Sequence, residues 1–121
     1  MEKRVRIGCL FDFYAELLTE RQQAILDEHY NQDLSLSEIA HRLSISRQAV
    51  LDTLRRGEAQ LEHWEEKLGI YALYSKNTKA LDKCLELLEG IGQNDENTGA
   101  VQALQKELKA MRDGWEEANG I

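Results

Sequence analysis

The chain has 121 residues, room for one domain or a small domain with an extension, and enough to bury a real core. With no proline and much Leu, Glu, Ala, Lys, Arg and Gln, the composition favours an all-α protein. The formal charge of −7 excludes a surface that embraces nucleic acid on every side, and no apolar run approaches the roughly 18 residues of a membrane span, so a cytoplasmic protein is expected.

In chain order, Val5 to Leu18 predicts a first helix with Ile7, Leu10, Phe11, Tyr14, Leu17 and Leu18 on a broad apolar face. Thr19 followed three residues later by Gln22 is a capping-box pair that opens a second helix through about Tyr30, with Ala24, Ile25, Leu26 and Tyr30 inside. Asn31, Gln32 and Asp33 form a polar break. His29, His41 and His63 lack ligand spacing, so no metal is implied and solvent-facing rings are expected. Cys9 and Cys84 are too isolated to ligate a metal and read as buried free thiols.

The most informative stretch is LSLSEIAHRLSISRQAVLDTL, from Leu34 to Leu54. Ser35 with Glu38 makes a second capping box, after which Leu36, Ile39, Ala40 and Leu43 share one helical face. Ser44 and Ile45 form the bend, with Ile45 turned inward. Ser46 caps a further helix that buries Val50 and Leu54. The small Ala40 stands where the two helices cross. This pattern is a helix-turn-helix, whose second helix usually presents its first exposed side chains to a DNA major groove. The candidate nucleic-acid contacts are Arg42, Ser46, Arg47, Gln48, Leu51, Arg55 and Arg56, with Asp52 the single acid among four arginines. A basic patch on an acidic body binds phosphate with strong salt sensitivity.

The second helix is predicted to run from about Arg47 to Leu68, since no stop precedes Gly69. Val50, Leu54, Gly57, Leu61, Trp64 and Leu68 follow at alternate spacings of four and three, an a/d seam for side-by-side helices. Gly57 either admits a close neighbour or marks a bend. Tyr71, Tyr74, Thr78, Leu81, Leu85 and Leu88 repeat the spacing, Gly90 to Gly99 turns the chain, and Val101, Leu104, Leu108, Met111 and Trp115 follow. The domains read as 1–68, the helix-turn-helix, and 69–121, a helical hairpin for dimerisation or packing. Leu61, Trp64, Leu68, Leu81, Leu85 and Leu88 are the expected packing or dimer seam, and a homodimer is predicted.

Residues 5 to 74 carry a family resemblance. The LFDFY opening from Leu10, the run DLSLSEIA and the SRQAV second helix resemble the YlxM family of bacterial helix-turn-helix proteins. The resemblance implies a role beside the signal recognition particle, as a regulator or accessory that binds its RNA, its protein subunit, or both. It implies no catalytic motif. The tail beyond about Lys76 looks less like the family. The same stretch is more distantly similar to the promoter-reading fourth region of sigma factors, which implies a sigma-region-4-like fold; a winged-helix-like character is also expected. Leu51 stands where a sigma factor commonly carries an arginine, and an aliphatic side chain cannot donate to guanine or phosphate.

Three functions are expected to compete: an accessory of the signal recognition particle, a sequence-specific regulator binding duplex DNA, and a protein-binding scaffold. The sequence holds no nucleophile–base arrangement, phosphate loop or ligand cluster, so neither an enzyme, a cofactor nor a small-molecule substrate is expected.

Overall fold

The computed structural model describes residues 1–118, with side chains through Gly114; the expected apolar position Trp115 lies outside the described side chains. The elements in order are α1 Lys3–Tyr14, a 3₁₀ turn Ala15–Leu17, α2 Glu20–Leu26, a π turn Asp27–Asn31, α3 Leu36–Leu43, α4 Arg47–Leu68, α5 Ile70–Glu89 and α6 Thr98–Ala118. No strand occurs among the described residues. The winged-helix-like expectation is thereby corrected: a wing is a β-hairpin, and α4 passes through Gly69 directly into α5. Two compact units result, Met1–Tyr71 and a second from Ala72 onward.

In the first unit, α4 is the spine on which α1, α2 and α3 pack. Both capping boxes form: Thr19 Oγ1 accepts the Gln22 N–H and Ser35 Oγ accepts the Glu38 N–H, with the reciprocal bonds present. Each satisfies two N–H groups that a helix start leaves without partners. Ile7, Leu10, Tyr14, Leu18, Ile25, Leu26, Ile39, Ala40, Val50, Leu54 and Leu61 close into one core. The apolar spacing read from the sequence therefore ends mostly where a core requires it.

Gly57 sits in that core because a side chain comes close, and α4 runs through it unbroken. A Cβ there would stand 2.7 Å from Leu26 Cδ1, inside any ordinary carbon contact. Leu26 is itself 1% exposed and hemmed in, so it fills the space that glycine leaves open. The cost of glycine in helix propensity, on the order of 1 kcal/mol, is offset by this packing.

α1 ends earlier than its apolar pattern suggests. The 3₁₀ turn at Ala15–Leu17 rotates the chain by about 120° per residue, so Leu17 leaves the inner face and is exposed while Leu18 returns to the core. The end of α1 is fixed from far along the chain. Tyr14 donates its hydroxyl proton to Glu65 Oε1 at 2.6 Å and accepts the Ile70 N–H at 3.1 Å. Glu65 Oε1 also accepts the Tyr71 N–H at 3.0 Å. These bonds satisfy the first donors of α5, just after the left-handed Gly69 (φ 62°) that ends α4.

A second polar cluster ties the N-terminus to the π turn. Arg4 donates to His29 O at 2.8 Å and to the Asp33 carboxylate, which holds Asp33 in its left-handed conformation (φ 56°). Tyr30 donates to Glu58, which also pairs with Lys3 Nζ at 3.2 Å. His29 is half-buried, its Nδ1 3.0 Å from Leu34 O, which corrects the solvent-facing expectation for that ring; His41 and His63 are exposed. Cys9 is half-buried and Cys84 exposed, so the buried-thiol expectation is corrected too: helical spacing carries residue 84 to the outer side of α5.

In the second unit, Leu88 and Val101 are buried and Leu81, Leu85 and Leu108 are half-buried. Asn94 and Asn97 shape the connecting turn by exchanging side-chain-to-backbone bonds of 2.7 and 3.0 Å. Arg112 joins the helices through Asp82, Nη1 to Oδ1 at 3.1 Å.

Burial, reinforced by the hydrogen bonds to Glu65 and Glu58, raises the Tyr14 and Tyr30 phenols above the ordinary value of 10.0. A raised folded-state value means the stability is complete below pH 10 and falls as the unfolded chain ionises above it. Resistance to urea unfolding is expected to weaken from about pH 10 upward, with a smaller decline in Tyr14→Phe and Tyr30→Phe. An alkaline decline unchanged in both variants would contradict this origin.

Candidate nucleic-acid interface

The helix-turn-helix is built as its sequence dictates. Ser44 takes the left-handed conformation (φ 55°) at the end of α3, and the Ile45 N–H reaches back to Ala40 O at 3.1 Å, turning the chain tightly. Ile45 is half-buried against the core, and Ser46 Oγ accepts the Ala49 N–H at 3.0 Å to start α4. Arg47, Gln48, Asp52, Arg55 and Arg56 all emerge exposed on the outer side of α4.

Their surroundings separate the seven candidate contacts sharply. Arg42, at the end of α3, forms an ion pair with Glu28 in the π turn. Glu28 is 7% exposed, and its Oε2 has no hydrogen-bond partner among the described residues, so Arg42 is the cation that makes this buried carboxylate tolerable. Gln48 Nε2 donates to Asp52 Oδ1 at 2.9 Å one turn on, which engages both the amide and the local acid. The Ser46 hydroxyl accepts as helix cap, and Leu51 is half-buried. Arg47, Arg55 and Arg56 make no ion pair or side-chain hydrogen bond among the described residues. An Arg55–Glu58 pair along the helix does not form: Glu58 turns inward to Tyr30 and Lys3.

Three free guanidinium groups thus project from an outer face whose polar base-reading position is occupied by a neighbour. Planar and permanently charged, they suit phosphate oxygens. A protein reading bases needs free amide or guanidinium forks at the start of the helix, and here only Arg47 offers one. Among the described residues, no group of three His, Cys, Asp or Glu side chains is placed to hold a metal ion, and no helix is long and apolar enough to cross a membrane.

The seam residues divide as well. Leu61 is fully buried in the first unit, Trp64 packs against the core with its ring 6.5 Å from Tyr14, and Leu68 is exposed. Leu88 is buried within the hairpin. Leu61 and Leu88 thus serve packing within a single chain, because α1 and α2 close over α4 and the hairpin closes over itself.

Sequence reasoning missed the acids that support this surface. Glu28 falls three residues after Ile25 on the inner face of its helix, and Glu65 falls four after Leu61 on the seam, so their positions carried the signal. Both were masked by the usual habit of glutamate to face solvent.

A family model for helix-turn-helix proteins, YlxM / p13 like, matches residues 1–105. The UPF0122 protein YlxM of Bacillus subtilis (strain 168) is 41% identical over 106 residues, covering 88% of this chain and 96% of the relative. A UPF0122 protein of Desulforamulus reducens is 40% identical over 116 residues, 93% of this chain and 99% of the relative. The likeness therefore extends well past residue 74, which corrects the sequence-based limit: the hairpin up to residue 105 belongs to the matched region.

Removing the Arg42 side chain strands Glu28, whereas removing Arg55 strands nothing. Arg42→Ala is expected to lower unfolding free energy by about 1–3 kcal/mol and Arg55→Ala to stay within about 0.5 kcal/mol, measured by urea unfolding near neutral pH. Equal effects would contradict the division of the arginines.

Proposed function

Because this chain belongs to the YlxM / p13 like family of helix-turn-helix proteins, we propose that it is a non-catalytic accessory of the signal recognition particle pathway. In this reading it engages the particle's RNA through phosphate charge, and the particle's protein subunit is a further partner. The observation that carries the proposal is the set of unpaired, exposed arginines 47, 55 and 56, beside a Gln48 tied to Asp52 and an apolar Leu51. That combination supplies charge without a base-reading code. A-form RNA has a major groove too narrow for a helix, so a protein that binds it works through backbone charge and shape, which this surface supports. The sequence-specific DNA regulator is the weaker reading for the same reason.

The decisive measurement is binding of the purified protein to purified particle RNA and particle protein, with a random DNA duplex as control. Binding to the RNA is expected to fall with salt, and the double variant Arg47→Ala/Arg55→Ala is expected to reduce the log–log salt slope by about one unit per charge. A selection that recovers a tight palindromic DNA site, with no binding to either particle component, would replace this reading by the transcriptional one.

We also assign the hairpin a self-association role. Leu104 and Met111 are 48% and 61% exposed, and a shallow, largely apolar cavity of about 280 Å³ lies beside Leu81 and Met111. Two such hairpins would cover one another's apolar sides as a four-helix bundle does. Light scattering at micromolar concentration is expected to give twice the mass of one chain; Met111→Glu is expected to give the single-chain mass. A single-chain mass for the wild type would contradict the assignment.

A further inference from the structure

The positive side of α4 does not end with the helix-turn-helix. Arg56, Gln60, His63 and Lys67 follow at spacings of four, three and four, which puts them on one outer strip of the helix. All are exposed, and none has an ion-pair partner among the described residues. A shallow groove of about 500 Å³ lies along the strip, lined by Arg56, Ala59, Gln60 and His63 of α4 and Gln22 of α2. The small Ala59 keeps it open. Gln22 is held at the groove by its capping bond, in which its Oε1 accepts the Thr19 N–H at 3.1 Å, so its amide N–H₂ remains available.

The acids of the same stretch are arranged to leave this strip positive. Of the four between Arg56 and Lys67, Glu58 bonds Tyr30 and Lys3, Glu62 pairs with Arg6 at 2.7 and 2.9 Å, and Glu65 accepts from Tyr14. Glu62 stays partly exposed but neutralised by Arg6, and Glu66 stays on the solvent side without an ion-pair partner among the described residues. From Arg56 to Lys67 the strip runs along about 16 Å of helix, on the side of α4 away from Arg47. A recognition helix inserted end-on uses its first turns; Arg56 and Lys67, two cations on one side and beyond those turns, suit contacts with a phosphate backbone.

We propose that this strip is a second contact site, for the sugar–phosphate backbone of duplex RNA, on a different side of α4 from Arg47. The proposal rests on the nucleic-acid reading above and extends it to residues outside the motif. Arg56 and Lys67 supply charge for phosphates, while Gln22, Gln60 and His63 supply the donors and acceptors that suit a ribose 2′-hydroxyl.

The test is fluorescence anisotropy of the full chain with a short mixed-sequence RNA duplex and a DNA duplex of the same sequence, over a salt series. The wild type is expected to bind the RNA more tightly. Arg56→Ala/Lys67→Ala is expected to reduce the salt slope by roughly two units, and His63→Glu to weaken RNA binding about tenfold, with thermal unfolding unchanged in both. Unchanged affinity and slope in these variants, while Arg47→Ala/Arg55→Ala still weakens binding, would overturn the strip and leave the functional reading standing. Equal binding of RNA and DNA would overturn its assignment to RNA. No RNA binding by the wild type would overturn both.

Discussion

A carboxylate withdrawn from water needs a cation or a donor beside it, as Glu28 has Arg42, and in this acidic chain that pair and three more exposed ones determine which arginines are left for a partner. Of eight arginines, Arg4, Arg6, Arg42 and Arg112 are held by Asp33, Glu62, Glu28 and Asp82. Arg21, Arg47, Arg55 and Arg56 make no ion pair among the described residues, and the last three are spread around the solvent side of α4. The division follows from the fold. The π turn pulls Glu28 inward toward α3, α1 brings Arg6 across to Glu62, and the end of α1 brings Tyr14 to Glu65. On α4, Glu65 is withdrawn from the outer side and Glu62 is neutralised there by Arg6.

The consequence is a locally positive helix on a negative protein. The Arg6 guanidinium, through its hydrogen bonds to Glu62, holds that carboxyl below the usual glutamate range, so the pair persists at neutral pH. Both partners are substantially solvent-accessible, so the pair adds little to stability; its effect is on the distribution of charge. The long-range repulsion of a molecule with formal charge −7 remains. Binding of a polyanion must then be short-range, salt-sensitive and confined to this face.

The sequence made the local features legible and concealed the distant ones. Both capping boxes, the Ser46 cap and the limits of α4 at Arg47 and Leu68 depend on residues within one turn of each other, so spacing alone reveals them. The 3₁₀ end of α1 and the inward acids depend on pairs such as Tyr14–Glu65, separated by 51 positions, to which no local periodicity points. Gly57 shows the same limit. Its place on the seam was visible, but the neighbour that requires it, Leu26, lies on another helix. Among the candidate contacts, Arg47, Arg55 and Arg56 stand as the motif places them, whereas Arg42 and Gln48 are engaged by partners, one distant and one on the next turn.

The central claim is this division of the arginines into held and free. It is tested most directly by nuclear magnetic resonance of the side-chain Nε–H groups, with the protein titrated with the particle's RNA. The Arg47, Arg55 and Arg56 signals are predicted to move with added RNA, while those of Arg4, Arg6 and Arg42 stay in place. Movement of the Arg42 and Arg6 signals with Arg47, Arg55 and Arg56 unmoved would contradict the account.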